Sequence, residues 1–147
     1  MAYTDKTRFA EFMQKKGICL FAATVKEGTA DENIAAATGN YLMAKLPPEA
    51  VITNAYVHVV TASDAATSAS MKLGTAEGGS EILSAANLKT LGKQGTFTGQ
   101  SLTGTGVDLY VGVTVTGAAT AVGEYIIVVE YVEYEKNTGE YTEISRY

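Results

Sequence analysis

The stretch that decides the fold runs from residue 107 to residue 116 and reads V-D-L-Y-V-G-V-T-V-T. Valine or leucine occupies every second position, and Asp, Tyr, Gly and Thr residues fill the others. A period of two is typical of a β-strand with one buried and one exposed face. The stretch therefore predicts a strand that lines a hydrophobic core on one side.

A second strand is predicted close behind it, at residues 124–134, which read E-Y-I-I-V-V-E-Y-V-E-Y. Its two faces are both apolar, because Ile126 and Val128 alternate with Ile127 and Val129. Such a strand is buried on both sides or covered by a partner. The Gly/Ala-rich connection between the two strands is too long for a two-residue hairpin turn. The strands are therefore either neighbours in one sheet or members of two different sheets.

Further strands are predicted on both sides of this pair. Residues 18–25 read as a buried strand, residues 40–46 as a strand ended by Pro47 and Pro48, and residues 70–75 as a short strand. Residues 51–61 alternate, with Val51, Ala55, Val57 and Val59 predicted on one face and Ile52, Asn54, Tyr56 and His58 on the other. Residues 81–91 fit either a helical turn or an irregular strand, and a short extended piece is predicted around Phe97. A hairpin turn at Gly139 leads into a last predicted strand at residues 141–145.

About eight strands separated by Gly, Ser and Thr loops predict an all-β fold, an antiparallel β-sandwich of the jelly-roll type. A chain of 147 residues fits one such domain. We place this domain at residues 17–147, after an N-terminal arm or short helix at residues 1–16.

The arm has one apolar stripe, in which Phe9, Phe12 and Met13 lie at helical spacing, and Gly17 ends the pattern. A helix this short is marginal in water unless it packs on something. The arm therefore folds back on its own domain or docks on a neighbouring subunit, and Phe9, Phe12 and Met13 are its predicted interface anchors. The arm is basic and the C-terminal segment is acidic, which favours contacts between subunits. Four tyrosines of the acidic end are predicted interface residues, because tyrosine is favoured at partly wet contacts: Tyr131, Tyr134, Tyr141 and Tyr147.

The sequence predicts no catalytic residue, cofactor site or metal site. One histidine and one cysteine exclude a His/Cys metal centre and an internal disulfide framework. His58 lies on the polar face of its predicted strand, which favours a surface or interface position over a general base. The formal net charge of -5 and the scarcity of basic clusters argue against nucleic acid as a partner. No apolar run approaches the roughly 20 residues that span a bilayer, so neither a membrane partner nor a signal peptide is predicted.

Two segments carry a resemblance to a known family. Residues 46–76 combine a leucine-proline step, an alternating strand, a small-residue loop and a short strand ending in Gly-Thr, and residues 107–131 continue the pattern. This pattern resembles the head decoration or cement proteins of short-tailed bacteriophages. The resemblance implies a non-enzymatic jelly roll on the capsid exterior that forms a homo-oligomer, a dimer or trimer, and binds the major capsid protein. Residues 1–16 lie outside it.

Two other functions fit the sequence. The first is a head-fibre, tail or carbohydrate-binding β-sandwich that recognises a host surface glycan through exposed tyrosines. The second is a small hydrolase, which would need a concave pocket around His58 or the C-terminal glutamates.

Overall fold

The computed structural model describes residues 18–28, 34, 38–99, 106–117 and 122–133. These residues form two antiparallel β-sheets, and the described part of the chain contains no helix that could cross a membrane. The strands, in chain order, are β1 (Ile18–Lys26), β2 (Gly39–Leu46), β3 (Ala50–Thr61), β4 (Ser68–Gly74), β5 (Leu83–Asn87), β6 (Gly92–Gln94), β7 (Thr96–Phe97), β8 (Val107–Thr116) and β9 (Glu124–Glu133). The predicted all-β sandwich is confirmed.

The strand order is that of a jelly roll. One sheet has the order β1-β9-β3-β6, and the other has the order β2-β8-β4-β5-β7. The antiparallel pairs are nested, since β1 pairs β9, β2 pairs β8, β3 pairs β6 and β4 pairs β5. The pairs β3–β9 and β4–β8 then close the two sheets. This order arises when one long hairpin, made of the nested strand pairs, rolls up into two facing sheets. The two-residue β7 is an addition to the eight principal strands.

The two strands predicted most strongly are the centres of the two sheets. β8 lies between β2 and β4, and β9 lies between β1 and β3. The connection between them therefore crosses from one sheet to the other, which settles the question that the sequence left open. The segment at 81–91, also left open, forms β5 and a following turn.

The core lies between the two sheets. It is built from the inward side chains of both, and its largest fully buried members are Tyr125, Ile52, Met71, Leu73, Ile82, Leu83, Leu88, Leu109, Ile127, Val57, Val59 and Val111. Complete burial of one such aliphatic side chain stabilises the fold by about 1.5–3 kcal/mol. The alternation predicted for residues 107–116 is confirmed, because Leu109, Val111 and Val113 all belong to this core.

The prediction for the start of β3 was wrong. A register shift against β9 lies between Ile52 and Asn54, so Thr53 is an extra residue. A bulge of this kind reverses the alternation on one side of it. Ile52 is consequently fully buried with Ala55, and Val51 is only partly buried.

The prediction of a buried strand at residues 18–25 was also wrong. β1 is an edge strand, paired only to β9 among the described strands, and Leu20 is 59% exposed. Ala22 and Thr24 are exposed as well. Local apolarity does not distinguish an edge strand from a central one. The predicted arm at 1–16, its boundary at residue 17, the hairpin turn at Gly139 and the last strand lie outside the described residues.

Gly95 carries the chain from one sheet to the other. It joins β6, which pairs β3, to β7, which pairs β5. Its φ is 93°, and a Cβ added to it would lie 2.9 Å from Leu83 Cδ1, in the side chain of a fully buried residue. Glycine is required here both by the backbone conformation and by the close approach of Leu83.

Alanine substitution separates these two requirements. Gly92 has a similar φ of 90° but nothing within 4 Å of an added Cβ. We expect Gly92→Ala to lower the free energy of unfolding by about 1–2 kcal/mol, the cost of the left-handed backbone. Gly95→Ala should lower the free energy of unfolding by about 1–3 kcal/mol more than Gly92→Ala does, because the added methyl group also overpacks the core against Leu83. Guanidinium denaturation measures the free energy of unfolding of both variants. Equal losses of stability would show that the contact of residue 95 with Leu83 adds no cost.

Candidate partner-binding surface

The outer face of the four-stranded sheet is the candidate contact surface. The register of β1, β9 and β3 arranges its outward side chains in rows across the sheet. The rows are Leu20–Glu130–Asn54, Ala22–Val128–Tyr56 and Thr24–Ile126–His58, flanked by Val132 and Val51 at one end and by Lys26 and Glu124 at the other. We call these side chains the apolar outer face, because aliphatic and aromatic groups fill its middle.

The middle of the apolar outer face is closely packed. Val128 is only 6% exposed although it points away from the core. Its register neighbours are Ala22 on one side and Tyr56 on the other, and Tyr56 is large enough to cover part of it. Leu20, at the β1 side, is the most exposed aliphatic side chain of the face. The face thus presents an apolar area that extends to β1, the edge strand of this sheet among the described strands.

The charged groups of this face have partners within it. Asn54 Nδ2 donates a hydrogen bond to Glu130 Oε2 at 3.4 Å. Lys26 Nζ lies 3.9 Å from Glu124 Oε2 at the end of the sheet. Lys93 Nζ, from β6, lies 4.7 Å from the centroid of the Tyr56 ring, a cation–π distance. Covering the face would therefore leave each of the four charged side chains, Glu130, Lys26, Glu124 and Lys93, with a partner, which lowers the desolvation cost of binding.

The opposite outer face, on the five-stranded sheet, is polar. Its rows include Asn40–Gly112–Lys72 and Ser70–Thr114, and Lys45 Nζ lies 3.7 Å from Asp108 Oδ1. One row of this otherwise polar face is apolar: Leu42, which is 52% exposed, lies opposite Tyr110. The two outer faces of one sandwich therefore differ in polarity, and an apolar patch on one of them marks a contact site.

The predicted interface residues are largely outside the described part. Phe9, Phe12, Met13, Tyr134, Tyr141 and Tyr147 are not among the described residues. Tyr131 is described, and its side chain lies on the inward side of β9, partly buried against the core and opposite Ile52 in the register. Its interface role stays a prediction. His58 is exposed on the apolar outer face, as expected for a surface residue.

Sequence reasoning missed the other members of the apolar outer face. The only sequence signal for this surface was that β9 is apolar on both faces. This signal predicted that something covers β9, but it did not predict which residues lie beside Val128 in the sheet. Ala22 and Tyr56 join Val128 only through strand pairing. The Thr53 bulge brings Val51 to this face, and local sequence does not show that bulge.

Two kinds of small-ligand site, one for a metal ion and one for a sugar, lack support among the described residues. They contain no group of three or more His, Cys, Asp or Glu side chains that could hold a metal ion. A shallow depression of about 450 Å³ lies at β4 and β5 of the five-stranded sheet. Its lining is Thr67, Ser68, Ala69, Ser70, Ala85, Asn87 and Lys89, a set without the aromatic platform typical of a sugar site.

A buried polar pair fixes β9 at its start. The Tyr125 hydroxyl donates a hydrogen bond to Glu27 Oε1, and Glu27 N donates to the Gly123 carbonyl at 3.0 Å. Glu27 is 6% exposed, and its other oxygen has no hydrogen-bond partner among the described residues. A side chain at Gly123 would overlap the Tyr125 hydroxyl. The pair joins the end of β1 to the beginning of β9, which suits a structural role.

Burial is the main cause that raises the pKa of Tyr125 well above its ordinary value of 10.0. The hydrogen bond to Glu27 and the negative charge of that carboxylate raise the pKa further, and Asp64 adds to this. The nearby Ser63 hydroxyl acts in the opposite direction. The phenol is therefore held in its neutral, donating form.

No protein-family model, no curated protein and no solved structure matches this chain. Function is therefore inferred from the jelly-roll topology, from the contrast between its two outer faces and from the family resemblance of the sequence.

Removal of the Tyr125 hydroxyl should cost more than neutralisation of its acceptor. Tyr125→Phe leaves the buried Glu27 carboxylate without its donor, and we expect a loss of about 1–3 kcal/mol in the free energy of unfolding. Glu27→Gln keeps an oxygen acceptor for the phenol and removes a buried charge, so its loss should be smaller. Guanidinium denaturation at neutral pH compares the two variants. If Glu27→Gln lowers the free energy of unfolding as much as Tyr125→Phe does, the hydrogen bond between the two residues is not the source of the stability.

Stability should also fall in alkaline solution because of Tyr125. The folded-state pKa of this group lies above the unfolded-state value of 10.0, so its stabilising contribution is complete below pH 10.0. As the pH rises above that value, the phenol ionises in the unfolded chain but not in the folded one, and the contribution is lost toward the folded-state pKa. Denaturation midpoints measured across this pH range should fall less steeply for Tyr125→Phe than for the unchanged chain. If the midpoints of the two proteins fall equally steeply with pH, the pKa of Tyr125 is not raised in the folded protein.

Proposed function

We propose that this chain is a non-enzymatic virion structural protein that binds the outer surface of a phage capsid as a homo-oligomer and links neighbouring major capsid subunits. The observation that carries the proposal is the apolar outer face of the four-stranded sheet. The resemblance of residues 46–76 and 107–131 to capsid cement proteins supports a capsid as the partner. On this proposal the protein is located on the exterior of the virion.

A flat sheet face suits a broad protein surface better than a small ligand. Strands lie about 4.8 Å apart and rise about 3.3 Å per residue. Three strands, with β1 nine residues long, therefore present an area on the order of 400 Å². A standard interface takes about 800 Å² from each partner. One copy thus supplies about half of a standard contact, and repetition of the contact on an oligomer supplies the rest as avidity.

The chemistry of the face fits a protein partner. Its middle row, Ala22–Val128–Tyr56, is apolar. Glu130, in the next row, is hydrogen-bonded to Asn54, and Lys26 lies at the end of the face beside Glu124. An apolar centre with a polar rim is the usual anatomy of a protein interface. Binding would bury the exposed Leu20 side chain and the half-buried Tyr56 ring, and aromatic side chains are enriched among residues that dominate binding energy.

The alternative is a head-fibre, tail or carbohydrate-binding module that recognises a host glycan. It requires an aromatic ring open to stack on a sugar. On the apolar outer face the Tyr56 ring already has Lys93 over it. The hydrolase reading would require partners for His58, whose register neighbours are Ile126 and Lys93. The contact-surface proposal accounts for the apolar row, and these two alternatives do not.

One pair of matched variants tests the capsid contact. His58→Glu places a charge in the apolar outer face, and Thr114→Glu places the same charge at an exposed position on the other sheet. Co-sedimentation with phage shells that lack this protein should show affinity reduced roughly tenfold or more for His58→Glu, a change of about 1.4 kcal/mol. Thr114→Glu should bind like the unchanged chain.

The unchanged chain serves as the reference, and circular dichroism confirms that both variants keep the β fold. Equal binding by both variants would remove the four-stranded face as the contact. Failure of the unchanged chain to bind shells, together with binding to a glycan array, would favour the alternative function.

A further inference from the structure

The four edges of the two sheets are not equally protected against pairing with another strand. Among the strands that the structure describes, the edges are β1 and β6 in one sheet and β2 and β7 in the other. β6 has three residues and β7 has two, too few to offer a long ladder. β2 has a register shift between Leu42 and Ala44, carries Lys45 and is followed by Pro47 and Pro48. Short strands, bulges, lysine and proline are the usual devices that block an edge.

β1 has none of these devices along most of its length. It is nine residues long, and its register with β9 runs from Ile18 to Lys26 without a shift. Ile18–Val25 contains no charged residue and no proline. Among the described strands β1 pairs only with β9, so its second row of backbone groups faces away from the sheet. This row is already bonded at its end, where the Lys26 carbonyl accepts a hydrogen bond from Ile34 N at 3.0 Å. A long, flat, apolar edge of this kind is a template for another strand.

We propose that a second copy of this chain pairs with β1 in antiparallel fashion about a two-fold axis, so that two four-stranded sheets join into one continuous sheet. This proposal deepens the oligomer part of the proposed function by naming its contact and its symmetry. It does not depend on the identity of the capsid partner. The occupant is a second copy because the edge is complementary to itself: an uncharged strand meets an uncharged strand.

The symmetry restricts the register. Opposed residues in antiparallel strands point to the same face of the sheet, so an outward residue of one copy must oppose an outward residue of the other. An axis at Ala22 pairs residues 19–25 of the two copies and ends before Lys26, whose outward carbonyl is bonded to Ile34. Ala22 then opposes itself, and Leu20 opposes Thr24. The smallest outward side chain lies at the axis, and no two like charges face each other.

The arrangement also brings the two apolar outer faces together. A two-fold axis perpendicular to the sheet leaves both faces on the same side. The combined area of the two faces would then be on the order of 800 Å², which matches what one partner contributes to a standard interface. Leu20, which is 59% exposed in the single chain, would lie near the centre of the combined surface.

The oligomeric mass of the full chain tests the proposal. Light scattering coupled to size exclusion should give twice the chain mass of 15.4 kDa. Ala22→Lys places two lysines against each other at the axis and should raise the dimer dissociation constant at least tenfold. Ala85→Lys is the matched control, because Ala85 is an exposed alanine on a strand of the other sheet. It should remain a dimer.

Disulfide trapping tests the register independently of the lysine variant. In a Cys19→Ala background, Ala22→Cys should form an intermolecular disulfide on mild oxidation, because opposed Cα atoms lie about 4.5–5.5 Å apart. Thr24→Cys should not, because its symmetry mate would lie about 13 Å away along the strand.

A monomeric or trimeric mass for the unchanged chain would overturn the proposal, as would a dimer that survives Ala22→Lys as well as it survives Ala85→Lys. Trapping at residue 24 in place of residue 22 would overturn the register. These outcomes are separate from capsid binding. A trimer that still co-sediments with shells would contradict the β1 pairing and leave the proposed function standing.

Discussion

Burial of the inward side chains of β9 between the two sheets is the interaction on which the rest of the structure depends. β9 is hydrogen-bonded to both β1 and β3, so its position fixes three strands at once. Tyr125, Ile127 and Val129 anchor it in the core, and the pairing of Tyr125 with Glu27 sets where it begins. The outward residues of the same strand then form the centre of the apolar outer face. One segment therefore supplies both the core of the fold and the surface proposed for binding.

Much of this fold follows from local pattern. The period of two at residues 107–116 and the doubly apolar run that follows were enough to predict β8 and β9, and the prolines after Leu46 ended β2 correctly. The sequence pattern gave wrong predictions where strand pairing decides which face a side chain lies on or where a strand lies in its sheet. The bulge at Thr53 exchanged the faces of Val51 and Ile52, and it is defined only against β9. The run at residues 18–25 is apolar enough for a central strand, yet the sheet order leaves it at an edge.

The candidate site was less predictable than the fold. The two apolar faces of β9 indicated a covered strand, but Ala22 and Tyr56 reach Val128 from strands far away in the sequence. The buried pair of Glu27 and Tyr125 spans 98 residues and carries no sequence motif. The described part of the chain includes Tyr131 alone among the interface residues predicted from composition, and that residue packs partly against the core. Composition identified residue types that suit an interface, whereas strand register determined which positions are outward.

The polarity difference between the two outer faces connects the structure to the proposed function. An apolar face of modest area, with its charges paired, favours many weak contacts made in parallel over one tight contact. Edge pairing of β1 would double that area without any new side-chain chemistry. On the proposed function, the four-stranded face is turned toward the shell. A cryo-electron microscopy reconstruction of shells decorated with the full chain tests this most directly. We predict that β1, β9 and β3 face the major capsid protein; a sandwich bound through β2, β8 and β4 would contradict the account.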